Sequence, residues 1–199
     1  MTANDNTVNI KNRTGRYHHG DLRSALIEEG MAELASKAPE DVSLREIARR
    51  AGVSATAVYR HFPDKAALLS ALCEEGSRKL AAAFRTAMEG QASRKEAFNA
   101  MGRAYVRFAL ANPSLFRMFT TLHGPDMSKG DAERTPDDAF AMLSGMLTEL
   151  MPPGATTADR DIKRLQAWAL VHGLAMLMLD GQVPADEALI DKVISSTFL

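Results

Sequence analysis

"SLREIARRAGVSATAVYRHFPDKAALL", Ser43 to Leu69, is the stretch that decides the fold. Ser43 stands three residues before Glu46, the spacing of a capping box that opens a helix. Ile47 and Ala48 form the inner face of that helix, and Ala48 is small enough for a second helix to cross closely. The helix ends at Ala51-Gly52, because a chain that must stop and turn at once favours a residue tolerant of positive φ. Ser54 caps the next short helix, whose inner face is marked by Val58 and Phe62, four apart. Asp64 caps a longer one, from Lys65 to about Met88. Two short helices joined by a tight bend predict a helix-turn-helix, with the outer face of the second helix left open.

That outer face carries the chemistry. On a helical wheel Thr56 and Arg60 lie opposite Val58, with Ala57 and Tyr59 on the flanks. Small residues at 55–57 permit close approach to base edges in a DNA major groove. Tyr59 and His61 can donate to phosphates. Lys65 starts the next helix, where its cation and the free backbone N–H groups both favour phosphate. Arg45, on the first helix, is placed to reach DNA as well. The expected DNA-binding set is therefore Arg45, Ser54, Ala55, Thr56, Ala57, Tyr59, Arg60, His61 and Lys65. A helical corner with a solvated polar face is the bland alternative. The agreement of turn, caps, small residues and Tyr/His/Lys set favours DNA.

Composition constrains without deciding. The chain has 199 residues, 46% of them hydrophobic, so a sizeable core is available. A formal net charge of −1 does not point to nucleic acid, and the DNA reading rests on local pattern alone. The single cysteine, Cys73, excludes an internal disulfide and fits a reducing cytoplasm; within "LLSALCEEG" it reads as a buried, inert thiol. "MTANDNTVNIKNRTGR" has no apolar run of the signal-peptide kind. "AWALVHGLAMLML" is too short to span a membrane. No P-loop, G-x-S-x-G, Cys-x-x-Cys or H-E-x-x-H motif suggests an enzyme. His18-His19 point to different helix faces and have no evident third ligand, so neither a metal nor a cofactor is expected.

Strand signals are nearly absent, and the chain reads as all-α. A first helix runs from Gly20-Asp21 to about Lys37, with Asp21 as its cap and Leu22, Ala25, Leu26, Gly30 and Leu34 on one face. Later helices are expected at about 93–111, 113–122, 136–151, 157–180 and 184–198. Residues 123–138 read as a loose loop, and "PPGATT" (152–157) as a breaker. Residues 1–16 read as a flexible arm bearing Lys11, Arg13 and Arg16. Residues 17–65 form the DNA-binding domain and 66–199 a helical ligand-binding and dimerisation domain.

In the second half the helix at 157–180 is the informative one. Leu165, Ala169, His172, Met176 and Leu179 form one apolar stripe; Leu170, Leu174 and Leu177 form another, nearly opposite. A helix apolar on both sides is buried on both sides. The subunit's own core on one side and a partner on the other is the economical arrangement. Leu170, Leu174 and Leu177, with Ile190 and Ile194 of the last helix, are the expected dimer surface, a four-helix interface. The ligand-lining candidates are Met101, Tyr105, Phe108, Phe119, Met142, Met146 and His172. Met-lined cavities adapt to varied apolar ligands. For each, ordinary core filling is the plain alternative, and for His172 a satisfied core hydrogen bond is favoured.

The segment "IARRAGVSATAVYRHFPDKAALL" closely resembles the N-terminal signature of the TetR family of transcriptional regulators. "YHHGDLRSALIEEGMAEL" (Tyr17–Leu34) resembles the first helix of one large branch of it. The likeness covers about residues 16–70. It implies an α-helical homodimer whose N-terminal domains sit in successive major grooves, usually a repressor released from a palindromic operator by a small ligand. Arg45, Ala55, Thr56 and Ala57 fall where members read bases. Tyr59, His61 and Lys65 fall where they hold phosphates. Thr56 stands where many members have Gly, which leaves the base preference open. "WALVHGLAMLMLDG" (168–181) resembles the C-terminal region of TetR-type regulators named for a Trp, His and Gly, here Trp168, His172 and Gly173. The expectation is a cytoplasmic repressor of double-stranded operator DNA with a small, largely apolar effector. The alternative is an activator, or a DNA-binding regulator without a ligand.

Overall fold

The computed structural model describes residues 22–122 and 138–196. Among them the helices are α1 (Leu22–Leu34), α2 (Leu44–Arg50), α3 (Ala55–His61), α4 (Lys65–Met88), α5 (Arg94–Ala111), α6 (Pro113–Leu122), α7 (Ala139–Leu150), α8 (Thr157–Leu179) and α9 (Glu187–Ser195), with a 3-10 turn at Pro39–Asp41. No strand occurs among the described residues. The arm, His18-His19, Asp21, most of the 123–138 loop and Phe198 lie outside them.

Helix starts follow the capping side chains. Ser54, Asp64, Ser93, Thr156 and Asp186 each accept a hydrogen bond from the backbone N–H three residues on, satisfying a donor the helix leaves open. Asp138 caps α7, which therefore begins at Ala139, and Asp186 likewise starts α9 at Glu187; both starts fall three residues later than the apolar periodicity alone suggests.

The capping box expected at Ser43 is only half made. Ser43 Oγ accepts from the Glu46 N–H at 3.5 Å, but the Glu46 carboxylate is drawn to Arg49, at 2.6 and 3.0 Å. The Ser43 N–H goes instead to Glu33 of α1, at 3.2 Å. Glu33 is fully buried, and Lys37 lies 3.4 Å from its other oxygen. A carboxylate from the preceding helix thus pins the start of α2.

The end of α2 is a Schellman turn. The Val53 N–H bonds to the Ala48 carbonyl at 2.9 Å and the Gly52 N–H to the Arg49 carbonyl at 3.3 Å, with Gly52 at φ +70°. A side chain at Gly52 would meet no atom within 4 Å, so the need for glycine is one of backbone conformation alone.

Three apolar clusters hold the chain. The first joins α1, α2, α3 and the first half of α4, through Leu26, Ile47, Val58, Phe62, Leu68 and Leu72, and takes in Leu115 and Met118 from α6. The second joins the rest of α4 to α5, α7 and Ala167 of α8. The third joins α5, Phe116 of α6, α8 and α9. Helix α6 therefore touches the helix-turn-helix core with Leu115, Met118 and Phe119 and the C-terminal core with Phe116. It lies close on α4, since a Cβ at Gly76 would fall 2.5 Å from the Phe119 ring. Arg103–Asp191 (3.0 Å) and Arg107–Glu187 (2.7 Å) fasten α9 to α5, and Arg117–Asp180 (2.6 Å) fastens α6 to the end of α8.

Candidate nucleic-acid interface and C-terminal polar cluster

Helix α3 is anchored by one residue and open elsewhere. Val58 is fully buried, while Ser54, Ala55, Thr56, Tyr59, Arg60 and His61 are exposed and Ala57 is half-buried. Tyr59 keeps 46% of its surface exposed. Ser54 Oγ is engaged in its cap, accepting from the Ala57 N–H at 3.2 Å, which leaves its O–H and one lone pair.

The arginines of this region fall into two groups. Arg49 is paired with Glu46 at 2.6 Å and Arg50 with Glu29 at 2.7 Å. Hydrogen bonding to Arg49 holds the Glu46 carboxyl below its ordinary range. Arg45 and Arg60 are exposed, and no described residue offers either a hydrogen bond or an ion pair. Both side chains are exposed to water. Lys65 differs from both groups: its Nζ donates to the Glu40 carbonyl and its side chain is half-buried. The sequence expectation treats Lys65 as a free cation. In the fold it also ties the start of α4 to the turn at Pro39–Asp41.

The candidate ligand residues gather unevenly. Met101 and Met146 are buried in the second cluster, and Tyr105, Phe108 and Met142 pack against it half-buried. His172 joins them through Tyr105: Oη and Nδ1 are 3.0 Å apart. Trp168 Nε1–H donates to the same Tyr105 oxygen at 3.3 Å. Phe116 stacks obliquely on His172 at 5.1 Å and meets Tyr105 edge-on at 5.6 Å. Burial pushes the Tyr105 hydroxyl up to about 12 and moves His172 below its usual value, so the imidazole is neutral at pH 7. Phe119 stands apart, against the first cluster at the α4–α6 crossing.

One group escaped the sequence reading. Arg164 is buried, with Nη1 donating to Ser144 Oγ at 3.1 Å, Nη2 to Asp161 at 2.7 Å and its guanidinium 4.9 Å above the Phe140 ring. Phe140 in turn meets Trp168 edge-on at 6.4 Å. The signal was present: Arg164, Trp168 and His172 are spaced by four and so share a face of α8.

Burial divides the expected dimer surface. Leu174, Ile190 and Ile194 are interior to the third cluster, with 8%, 1% and 5% of their surface exposed. A side chain already enclosed by its own subunit has no surface left for a partner. Leu170 is half-buried against the same cluster, and only Leu177, 41% exposed, remains open. The open apolar face of α8 instead runs through Ile162 (56%), Leu165 (49%), Ala169 and Leu177. Along it Gly173 has nothing within 4 Å of a built Cβ.

No described residues form a cluster of three metal-binding side chains, and no described helix is long and apolar enough to cross a membrane. Residues 26–72 match the family model described as bacterial regulatory proteins, tetR family, and residues 98–196 match the tetracyclin repressor-like C-terminal domain. An uncharacterized HTH-type transcriptional regulator from Mycobacterium tuberculosis is 26% identical over 149 residues, 75% of this chain and 71% of that protein. A solved protein of unknown function from Rhodococcus sp. RHA1 is 31% identical, with a TM-score of 0.68 over 90% of this chain and 93% of that one. A TetR variant from Acinetobacter baumannii AYE, solved in complex with minocycline, shares the fold at 16% identity, with a TM-score of 0.62 over 87% and 92% of the two chains. An exposed helix-turn-helix joined to a C-terminal helical domain, with both parts matched in order, makes this chain a member of the TetR family of DNA-binding transcription regulators.

Proposed function

We propose that the protein is a repressor that binds a palindromic operator as a homodimer and is released by a small, largely apolar effector. The observation that carries the DNA half is the contrast among the arginines. Arg45 and Arg60 are exposed and pair with no described residue, while Arg49 and Arg50 are ion-paired within the subunit. Arg45, Ala55, Thr56 and Ala57 would read bases, and Tyr59, Arg60, His61 and Lys65 would hold phosphates. For Lys65 this means exchanging the Glu40 carbonyl for a phosphate oxygen.

The open face of α8 supports the dimer reading. Exposed apolar side chains in a row on a long helix are costly in water, and a second copy would cover them. The Met- and aromatic-rich cluster between α4, α5, α7 and α8 supports the effector reading, as does the minocycline complex of the Acinetobacter relative. Helix α6 offers a route between the two functions, since Phe116 touches His172 while Leu115 and Met118 sit in the helix-turn-helix core.

DNase footprinting on the DNA upstream of the chain's own gene tests the reading. The expected pattern is one protected palindrome with half-sites about one helical turn, roughly 34 Å, apart. Protection with no symmetry, or none at any concentration that saturates the protein, contradicts it.

A further inference from the structure

Trp168, Tyr105 and His172 form a hydrogen-bond chain whose direction can be worked out. An indole N–H can only donate, so Trp168 donates a hydrogen bond to the Tyr105 oxygen. The Tyr105 hydroxyl has one proton of its own and, among the described residues, one further partner, His172 Nδ1. Were Nδ1 to carry a proton, both neighbours would donate to the same oxygen. The Tyr105 proton would then have no acceptor among the described residues, at a half-buried hydroxyl packed against the second and third clusters. Tyr105 therefore donates to Nδ1. Burial keeps the ring neutral, so the remaining proton sits on Nε2. That N–H makes no hydrogen bond within the described structure.

From this geometry we propose that His172 Nε2–H is the polar anchor of the effector site, and that the effector is a flat, aromatic or similarly apolar molecule carrying one hydrogen-bond acceptor, a carbonyl or carboxylate oxygen. The inference rests on the effector-responsive reading above. The Phe116 ring at 5.1 Å and the Trp168 ring at 5.5 Å flank the imidazole and suit a flat partner. The methionines of the second cluster suit an apolar body. Tyr105 and Trp168 act as positioning residues: they fix the tautomer and hold the ring, much as outer partners fix a metal-ligating histidine.

The test uses the full chain and two probes of nearly equal shape, acetophenone and ethylbenzene, which differ in the carbonyl oxygen. Titration calorimetry is expected to show acetophenone binding about tenfold more tightly, the worth of one hydrogen bond to a half-buried donor. In His172→Phe the preference should fall to within about twofold, and His172→Gln, whose amide nitrogen can donate from a similar position, should restore part of it. Histidine 15N spectra of the unaltered chain, assigned by the missing signal in His172→Gln, should place the proton on Nε2 and shift that nitrogen when acetophenone binds. Equal affinity for both probes, a preference untouched by His172→Phe, or a proton on Nδ1 overturns the inference while leaving effector binding intact. Binding of neither probe, together with no change in operator affinity, overturns the effector reading and this inference with it.

Discussion

At the scale of single residues, what already holds a side chain decides what it can still do. Among the described residues Arg45 and Arg60 have no partner; Arg49 and Arg50 have one each. Arg45→Ala is expected to weaken operator binding by about 1–3 kcal/mol and to relax preference at one position in each half-site, as removal of a guanine-reading side chain would. Arg49→Ala should leave affinity within about 0.5 kcal/mol, as befits a surface substitution. Anisotropy titrations against a set of single-base operator variants check both, and a uniform loss across the set would make Arg45 a phosphate-holding residue. His172 gives a pH dependence of definite sign. Burial lowers its value in the fold below the ordinary 6.5, so the unfolded chain takes up the proton first. Stability contributed by the neutral ring is whole above 6.5 and is lost as pH falls from there through the lower folded value. Urea melts of wild type and His172→Phe between pH 7.5 and 5 should diverge in slope over that window; parallel curves would show that the ring titrates alike in both states.

Elements were legible where local signals set them. The caps Ser54 and Asp64, the turn at Gly52, and Val58 and Phe62 four apart are contained within twenty residues, so the helix-turn-helix could be read from the chain alone. The partner of the Ser43 N–H could not. Glu33 lies ten residues upstream, and only the packing of α1 on α2 brings it there, while the nearer Glu46 is taken by Arg49. This makes Glu33, rather than Glu46, the residue on which the start of α2 depends. Glu33→Ala would strip a fully buried acceptor and leave the Ser43 N–H unpaired, at a cost of about 1–3 kcal/mol, whereas Glu46→Ala should cost well under 1 kcal/mol. Thermal melts of the two variants decide between these roles; equal losses would restore Glu46 to the box.

At the scale of the whole molecule, α8 shows where sequence reading ran out. The helix is apolar on several faces, and periodicity reports that it is buried without saying by what. Only the placement of α5 and α9 shows that Leu174, Ile190 and Ile194 belong to the subunit's own core and that Ile162, Leu165 and Leu177 are open. The same placement brings Tyr105 of α5 to Trp168 and His172, a meeting no spacing in the chain implied. The dimer reading changes its test accordingly. Leu174→Glu would bury a charge inside one subunit and should unfold it. Leu165→Glu should leave the fold intact, give monomers by sedimentation and weaken operator binding by the loss of the second half-site. A Leu165→Glu protein that stays dimeric would move the interface to another face.

The most direct test of the central claim, sequence-specific DNA binding through the open face of α3, is the salt dependence of operator affinity measured beside that for scrambled DNA of equal length. Wild type should bind the operator at least about a thousandfold more tightly than the scrambled fragment. Log affinity should fall steeply with log salt. Arg60→Ala or Lys65→Ala should each flatten that slope by about 0.9 for every phosphate that a subunit no longer neutralises. Equal affinity for the two fragments, or a slope that neither variant changes, would contradict the account.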